Sequence, residues 1–158
     1  MDLENSEFLN FVKAATECEL DYLLVGGLAL AMHGIPRFTQ DADVWIRPSI
    51  DNKTKLLLTL ESLEYESEEL VRIEELDFGV PQVLRLEGPI DILTSIHFRM
   101  EYDVCRKRAR AFTTSAGEIL FIHINDLREA KLLSRRPKDL SDVVMIDQML
   151  EELAKRKE

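Results

Sequence analysis

The chain has 158 residues, 46% hydrophobic and 32% charged, with a formal net charge of −10. This composition excludes a disordered chain and fits one domain with a substantial core, and the charge excludes nucleic-acid binding by bulk electrostatics. The two cysteines, Cys18 and Cys105, do not make a disulfide framework. The longest apolar run, "YLLVGGLALAM", is too short to span a membrane, and the acidic start "MDLENSEFLN" lacks the layout of a signal peptide, so a cytoplasmic protein is expected.

Residues 6–18 place Phe8, Leu9, Phe11, Val12 and Ala15 at helical spacing behind Ser6, which predicts an amphipathic helix with a serine cap. "DYLLVGG" reads as a buried strand ending at glycine, and "LALAMHG" as a helix closed by Gly34 and Pro36. "DADVWI" is a second strand stopped by Pro48. "DNKTKLLLTLESL" is a helix with an acidic first turn and a Leu56, Leu57, Leu60, Leu63 face.

Short β-type runs in "FGVPQVLRLEGPIDILTS", separated by Gly-Pro punctuation, predict a hairpin-like pair of strands. A helix is expected over 101–111 and a strand at "GEILFIHI". A helix follows behind an Asn125 cap, and a terminal helix begins after Pro137. The chain has no repeat and no linker that would divide it. The order of elements gives an α/β or α+β class with a mixed sheet, in a single domain over 1–158.

The chemistry concentrates in "GGLALAMHGIPRFTQDADVWI", residues 26–46. In a strand, residues i and i+2 face the same way, so Asp41 and Asp43 share one face while Ala42 and Val44 take the other. A third carboxylate, Asp91, stands between Ile90 and Ile92 in another strand candidate. If the strands are neighbours, three carboxylates converge, an arrangement stable only with cations between them. All-oxygen ligands favour Mg²⁺ or Mn²⁺ together with substrate phosphates. Two ions roughly 3.5–4 Å apart suit an in-line phosphoryl displacement.

Gly26 and Gly27, between strand and helix, offer backbone N–H groups to a phosphate. No GxxxxGK[ST] occurs, which excludes a standard P-loop. His33, His97 and His123 show no ligand spacing, which argues against zinc.

Plainer readings stand beside these. A Gly-Gly serves as a turn, an Asp-x-Asp as a solvated strand edge, and "RRPKDLSD" as helix punctuation. Arg37 is either a surface residue or a partner of the acidic site. The "RKRAR" cluster at 106–110 is either a solvated helix face or a landing strip for RNA. Trp45 reads as core.

The ordered set "GG…DAD…PIDIL" resembles the signature of the DNA polymerase β-like nucleotidyltransferase superfamily. The wider string 22–46, with "AKLLSRRPKDLSDVVMI", is similar to its small prokaryotic AbiEii-type group, many of them linked to toxin–antitoxin systems. The resemblance implies a nucleotidyltransferase fold, a catalytic core over about 20–123 and C-terminal helices over about 125–156. It implies that Gly26 and Gly27 bind the triphosphate of an NTP co-substrate. Asp41 and Asp43 hold both metals, and Asp91 ligates the catalytic one and helps deprotonate the acceptor hydroxyl. Lys131 and Lys138, oriented by Asp139 and Asp142, serve the phosphates or the base; Arg37, from its place just before Asp41 rather than from the resemblance, is a candidate for the acidic site or the nucleotide. The acceptor is a tRNA or other RNA end or a protein side chain, and a cognate toxin or antitoxin is an expected partner. Two alternatives share the pattern: an antibiotic nucleotidyltransferase, and a non-catalytic nucleotide-binding or antitoxin-like module. Gly27 stands where many relatives have Ser, and the chain ends soon after its distal motif.

Overall fold

The computed structural model describes residues 1–158. Ser6–Glu17 (α1) buries Phe8, Phe11, Val12 and Ala15, the i, i+3, i+4, i+7 positions of one helical face. Its cap is Asn5, whose side chain accepts from the Phe8 amide at 3.0 Å; Ser6, the expected cap, is already helical. Tyr22–Val25 (β1) is buried throughout, and Gly26–Met32 (α2) follows without a break. Both glycines therefore lie in the first turn of the helix rather than in a turn ahead of it. Ala42–Ile46 (β2) leads to Ile50–Ser62 (α3), capped by Ser49, which accepts from the Asn52 amide. Leu56 and Leu60 of the expected leucine face are fully buried, while Leu57 and Leu63 pack partly against the core.

Ser67–Glu74 (α4) was not foreseen. Ile73 is its one fully buried residue, and Leu70 one turn earlier packs partly against the core, so only two apolar positions mark this short charged helix. Val83–Arg85 (β3) and Ile90–Leu93 (β4) form the expected antiparallel pair. Tyr102–Arg108 (α5) is shorter than the helix expected over 101–111, because Arg110–Thr114 (β5) turns into an edge strand against Gly117–Phe121 (β6). Ile124–Ser134 (α6) is capped by His123, whose Nδ1 accepts from the Asn125 amide at 3.1 Å; Asn125, the expected cap, sits inside the helix. Arg135, at φ +57°, makes the joint to Pro137–Arg156 (α7), whose first residue is Pro137, at a position where its missing N–H costs nothing.

The seven helices surround one six-stranded mixed sheet of order β3-β4-β2-β1-β6-β5. β2 is parallel to β4 and antiparallel to β1, and β1 is parallel to β6. One row of residues, Leu24, Val44, Ile92 and Leu84, is buried on one face of the sheet. Tyr22 shares that face and meets Phe11 edge-on, which places α1 there, with α3 packed against it. The opposite face carries the row Val25, Asp43, Asp91 and Arg85. A cluster of 33 buried hydrophobic residues joins the sheet to the helices. Trp45, expected as core, is 1% exposed and packs edge-on against Tyr102. Cys18 and Cys105 are free thiols, and no helix is long and apolar enough to cross a membrane.

Candidate functional site

Strand register decides which carboxylates meet. Asp43 and Asp91 are direct partners across the parallel pair β2–β4, so their side chains leave the same face of the sheet side by side. Asp41 lies one residue before β2 and is exposed, whereas Asp43 and Asp91 are half-buried. Ala42 and Val44 are fully buried on the other face, as the i, i+2 alternation predicts. Burial, then the charges of Asp91 and Asp41, push the Asp43 carboxyl up to about 6. Burial and the charge of Asp41 also raise Asp91, against an opposing pull from Arg85. The three groups thus repel one another. They do not close on one point: no set of three or more His, Cys, Asp or Glu side chains forms a ready metal-ligand group.

The glycines abut this acidic row. Gly26 has φ +68°, and a Cβ there would overlap the Asp43 Oδ2 atom, so conformation and space both demand glycine. A Cβ at Gly27 would come within 3.2 Å of Thr39 Cβ and 3.4 Å of Arg37 Cγ. Arg37 and Thr39 therefore pack directly over the second glycine. The cap position of α2 is Val25, which offers no side-chain acceptor to the first-turn amides. The Thr39 carbonyl accepts from the N-terminal ammonium of Met1 at 2.5 Å, tying the segment before β2 to the start of the chain.

The distal motif forms a second charge cluster. Asp139 and Asp142 stand at i, i+3 on α7 and face Lys131 on α6. Lys131 Nζ donates to Asp139 Oδ1 at 3.0 Å and to Asp142 Oδ2 at 2.8 Å, in surroundings where all three residues are buried. Asp139 Oδ2 also accepts from Ser134 Oγ at 2.5 Å and Arg136 Nε at 2.6 Å. Burial works against ionising Asp139, yet the bonds from Ser134, Lys131 and Arg136 hold its carboxyl down at about 2. Arg37 Nη1 pairs with Asp142 Oδ1 at 3.5 Å, an ion pair too long for a hydrogen bond, which leaves that buried oxygen without a hydrogen-bond partner. This pair fastens the α2–β2 segment to α7. Lys131 and Lys138 both lie close enough to oppose the rise at Asp43, so the two clusters are neighbours. Lys138 itself is exposed.

Gly26, Gly27, Arg37, Asp43 and Asp91 are brought side by side, with the Lys131 cluster as a neighbour. Asp41 and Lys138 stand exposed; one residue is added and one cluster drops out. The addition is Arg85 on the edge strand β3, directly opposite Asp91. Its only sequence signal was alternation with the buried Leu84 and Leu86. The subtraction is the "RKRAR" cluster as a free basic strip. Arg108 grips Asp126 through two bonds of 2.9 and 2.6 Å, and Arg106 donates to Asp21 at 3.1 Å beside Arg47. Two of its four cations are thus internal clamps. A cavity of about 650 Å³ is elsewhere too: an acidic cleft between α1, α4 and the Gly88–Pro89 turn. The acidic row lies outside it.

The donor set fits a hard divalent cation of the Mg²⁺ or Mn²⁺ kind only in part. Two adjacent half-buried carboxylates with an exposed third supply oxygen and excess negative charge. Mg²⁺ binds through one or two carboxylates completed by water and substrate phosphates. No protein-family model matches the chain, and no curated protein is significantly similar to it.

Proposed function

We propose that the chain is a metal-dependent nucleotidyltransferase of the polymerase β-like type, transferring NMP from an NTP to an acceptor hydroxyl with release of pyrophosphate. The observation that carries this reading is the pairing of Asp43 with Asp91, with Gly26 seated against the Asp43 carboxylate. Carboxylates placed to repel each other at the edge of a core are a standing cost, which a bound cation and phosphate remove. Asp41, Asp43 and Asp91 would hold the metal, which supplies charge neutralisation at the reacting phosphate.

The chain's own residues do the rest. The first-turn amides at Gly26 and Gly27, free of a side-chain cap, receive phosphate oxygens. Arg37, anchored by Asp142, lies over Gly27 with its guanidinium near the same phosphates. Asp91 accepts the proton of the attacking hydroxyl as its oxygen bonds to the α-phosphorus and the bond to pyrophosphate breaks. The exposed Lys138 reaches phosphate directly, whereas Lys131, held by two carboxylates, acts by positioning α6 against α7. Catalysis in this scheme is mainly positioning and electrostatic complementarity.

A second reading, a nucleotide-binding or antitoxin-like module without turnover, is favoured by the lack of a closed three-carboxylate cluster. Thermal shift with Mg²⁺ and each NTP separates unbound from bound. Incubation with labelled NTPs and total RNA or lysate separates turnover from binding. The enzyme reading expects stabilisation that needs both metal and NTP, and label transfer lost in Asp41→Asn and Asp43→Asn. Transfer that survives those substitutions rules out this site; binding without any transfer selects the second reading.

A further inference from the structure

The sheet ends on two edges that differ in protection. β3 is three residues long, begins two residues after Pro81 and has Arg72 and Leu76 beside it. β5 is five residues long and holds no proline, and β6 is the one element against which it packs extensively. Arg110, Ala111, Phe112 and Thr113 are exposed, and Thr114 is half-buried. No main-chain N–H or C=O of residues 110–114 bonds to the main chain outside the β5–β6 ladder, so alternate residues turn theirs to solvent. Phe112 is 47% exposed, although its partner Ile119 is fully buried. Register puts Arg110, Phe112 and Thr114 on the face of their partners Phe121, Ile119 and Gly117. That is the α1 face, since a Cβ at Gly117 would overlap Thr16.

We infer that β5 is a homodimerisation edge, on which a second copy of this chain pairs its own β5 and joins two six-stranded sheets into one. The strand is complementary to itself. Laid antiparallel about a two-fold axis at Phe112, it sets Phe112 opposite Phe112 of the second copy. Ala111 then meets Thr113 of the second copy, and Arg110 meets its Thr114, so no charge opposes a like charge. Ile119, Phe112 and their two counterparts form one apolar row across the axis. Beyond Thr114 of the second copy come Gly117 and the last turn of α1, which ends in Glu17 and holds no basic residue. Each Arg110 therefore shares a face with the negative end of the other copy's helix. The edges left outside are both β3, short and flanked, so the assembly stops at two. A five-residue edge falls short of the roughly 1,200 Å² of a stable interface, which makes the dimer weak and concentration-dependent. Salt screens the repulsion between two chains of net charge −10. The inference does not depend on the nucleotidyltransferase reading, since β2 and β4 lie toward the other edge.

Sedimentation velocity on the full chain, from about 5 to about 500 μM at about 0.15 M salt, tests it. The weight-average mass should rise from 18.2 kDa toward twice that value. Phe112→Lys sets two ammonium groups opposite each other and should raise the dissociation constant about tenfold or more, whereas Phe112→Tyr should hold it within about threefold. Arg110→Glu should weaken the dimer about fivefold, and adding Glu17→Arg should restore it. Cross-linking reads the register. Phe112→Cys brings two thiols across the axis within disulfide range, so diamide should link the copies. Thr114→Cys leaves its thiols about 13 Å apart and should not link, nor should wild type with Cys18 and Cys105 alone. Urea unfolding checks that each variant is folded. A monomer at every concentration overturns the inference, as does a dimer indifferent to Phe112→Lys or a cross-link formed as readily by Thr114→Cys.

Discussion

Two charge clusters face each other across the end of the sheet, and they are built on opposite principles. Around Lys131 every charge has a partner: two carboxylates share one ammonium, and Ser134 and Arg136 complete Asp139. Around Asp43 the carboxylates are of like sign, and burial together with their repulsion raises Asp43 and Asp91. The first cluster is an internal joint between α6 and α7. The second is incomplete without something from outside. The difference separates structure from function more sharply than burial does, since both clusters contain buried charge.

Breaking the joint has the largest expected effect on stability. Lys131→Met removes the ammonium shared by two buried carboxylates, leaving Asp139 with Ser134 and Arg136 and Asp142 with the long Arg37 contact. It costs about 3 kcal/mol, read from urea unfolding. Asp43→Asn should lose the NTP- and metal-dependent thermal shift without a comparable loss of stability.

Gly26→Ala forces an L-residue into the left-handed region against the Asp43 carboxylate, at a cost of about 2 kcal/mol. The same denaturation measurement checks it, and the NTP-dependent thermal shift should disappear with it.

The pH dependences of the two clusters run in opposite directions. Asp43 has a raised folded pKa, so its penalty is absent near pH 4, grows as pH rises and is complete above about 6. Asp43→Asn should therefore stabilise the metal-free protein by about 1–2 kcal/mol at pH 8 and by almost nothing at pH 4. Added Mg²⁺ should narrow that gap. Asp139 has a depressed folded pKa, so its contribution is present above about pH 4 and lost as pH falls toward about 2. Unfolding of Asp139→Asn should show a shallower acid limb than wild type. At the small end, Lys107→Ala, an exposed cation outside both clusters, should change stability by no more than about 0.5 kcal/mol.

Much of this arrangement is legible in the chain order. The alternation in "DADVWI" puts Ala42 and Val44 inside and Asp43 on the other face, and the glycine pair marks the β1–α2 junction. Helix α4 escapes because its eight residues hold only Leu70 and Ile73 on the inner face, too short a repeat to stand out from the acidic run around it. Strand β5 escapes because four of its five residues are exposed and its first, Arg110, continues the basic run of α5. The two cap residues shift by one or two positions: Asn5 shares the capping chemistry of Ser6, and His123 Nδ1 takes the Asn125 amide in place of an asparagine cap.

The sequence by itself determined the alternation, the glycine positions and the presence of three aspartates and two lysines at separated sites. Local periodicity and backbone freedom depend only on neighbouring residues. Which aspartate stands beside which and which lysine is neutralised were decided by strand register and helix pairing. Those are long-range choices: a one-residue slip of β4 against β2 would separate Asp91 from Asp43, and the same slip against β3 would take Arg85 from both.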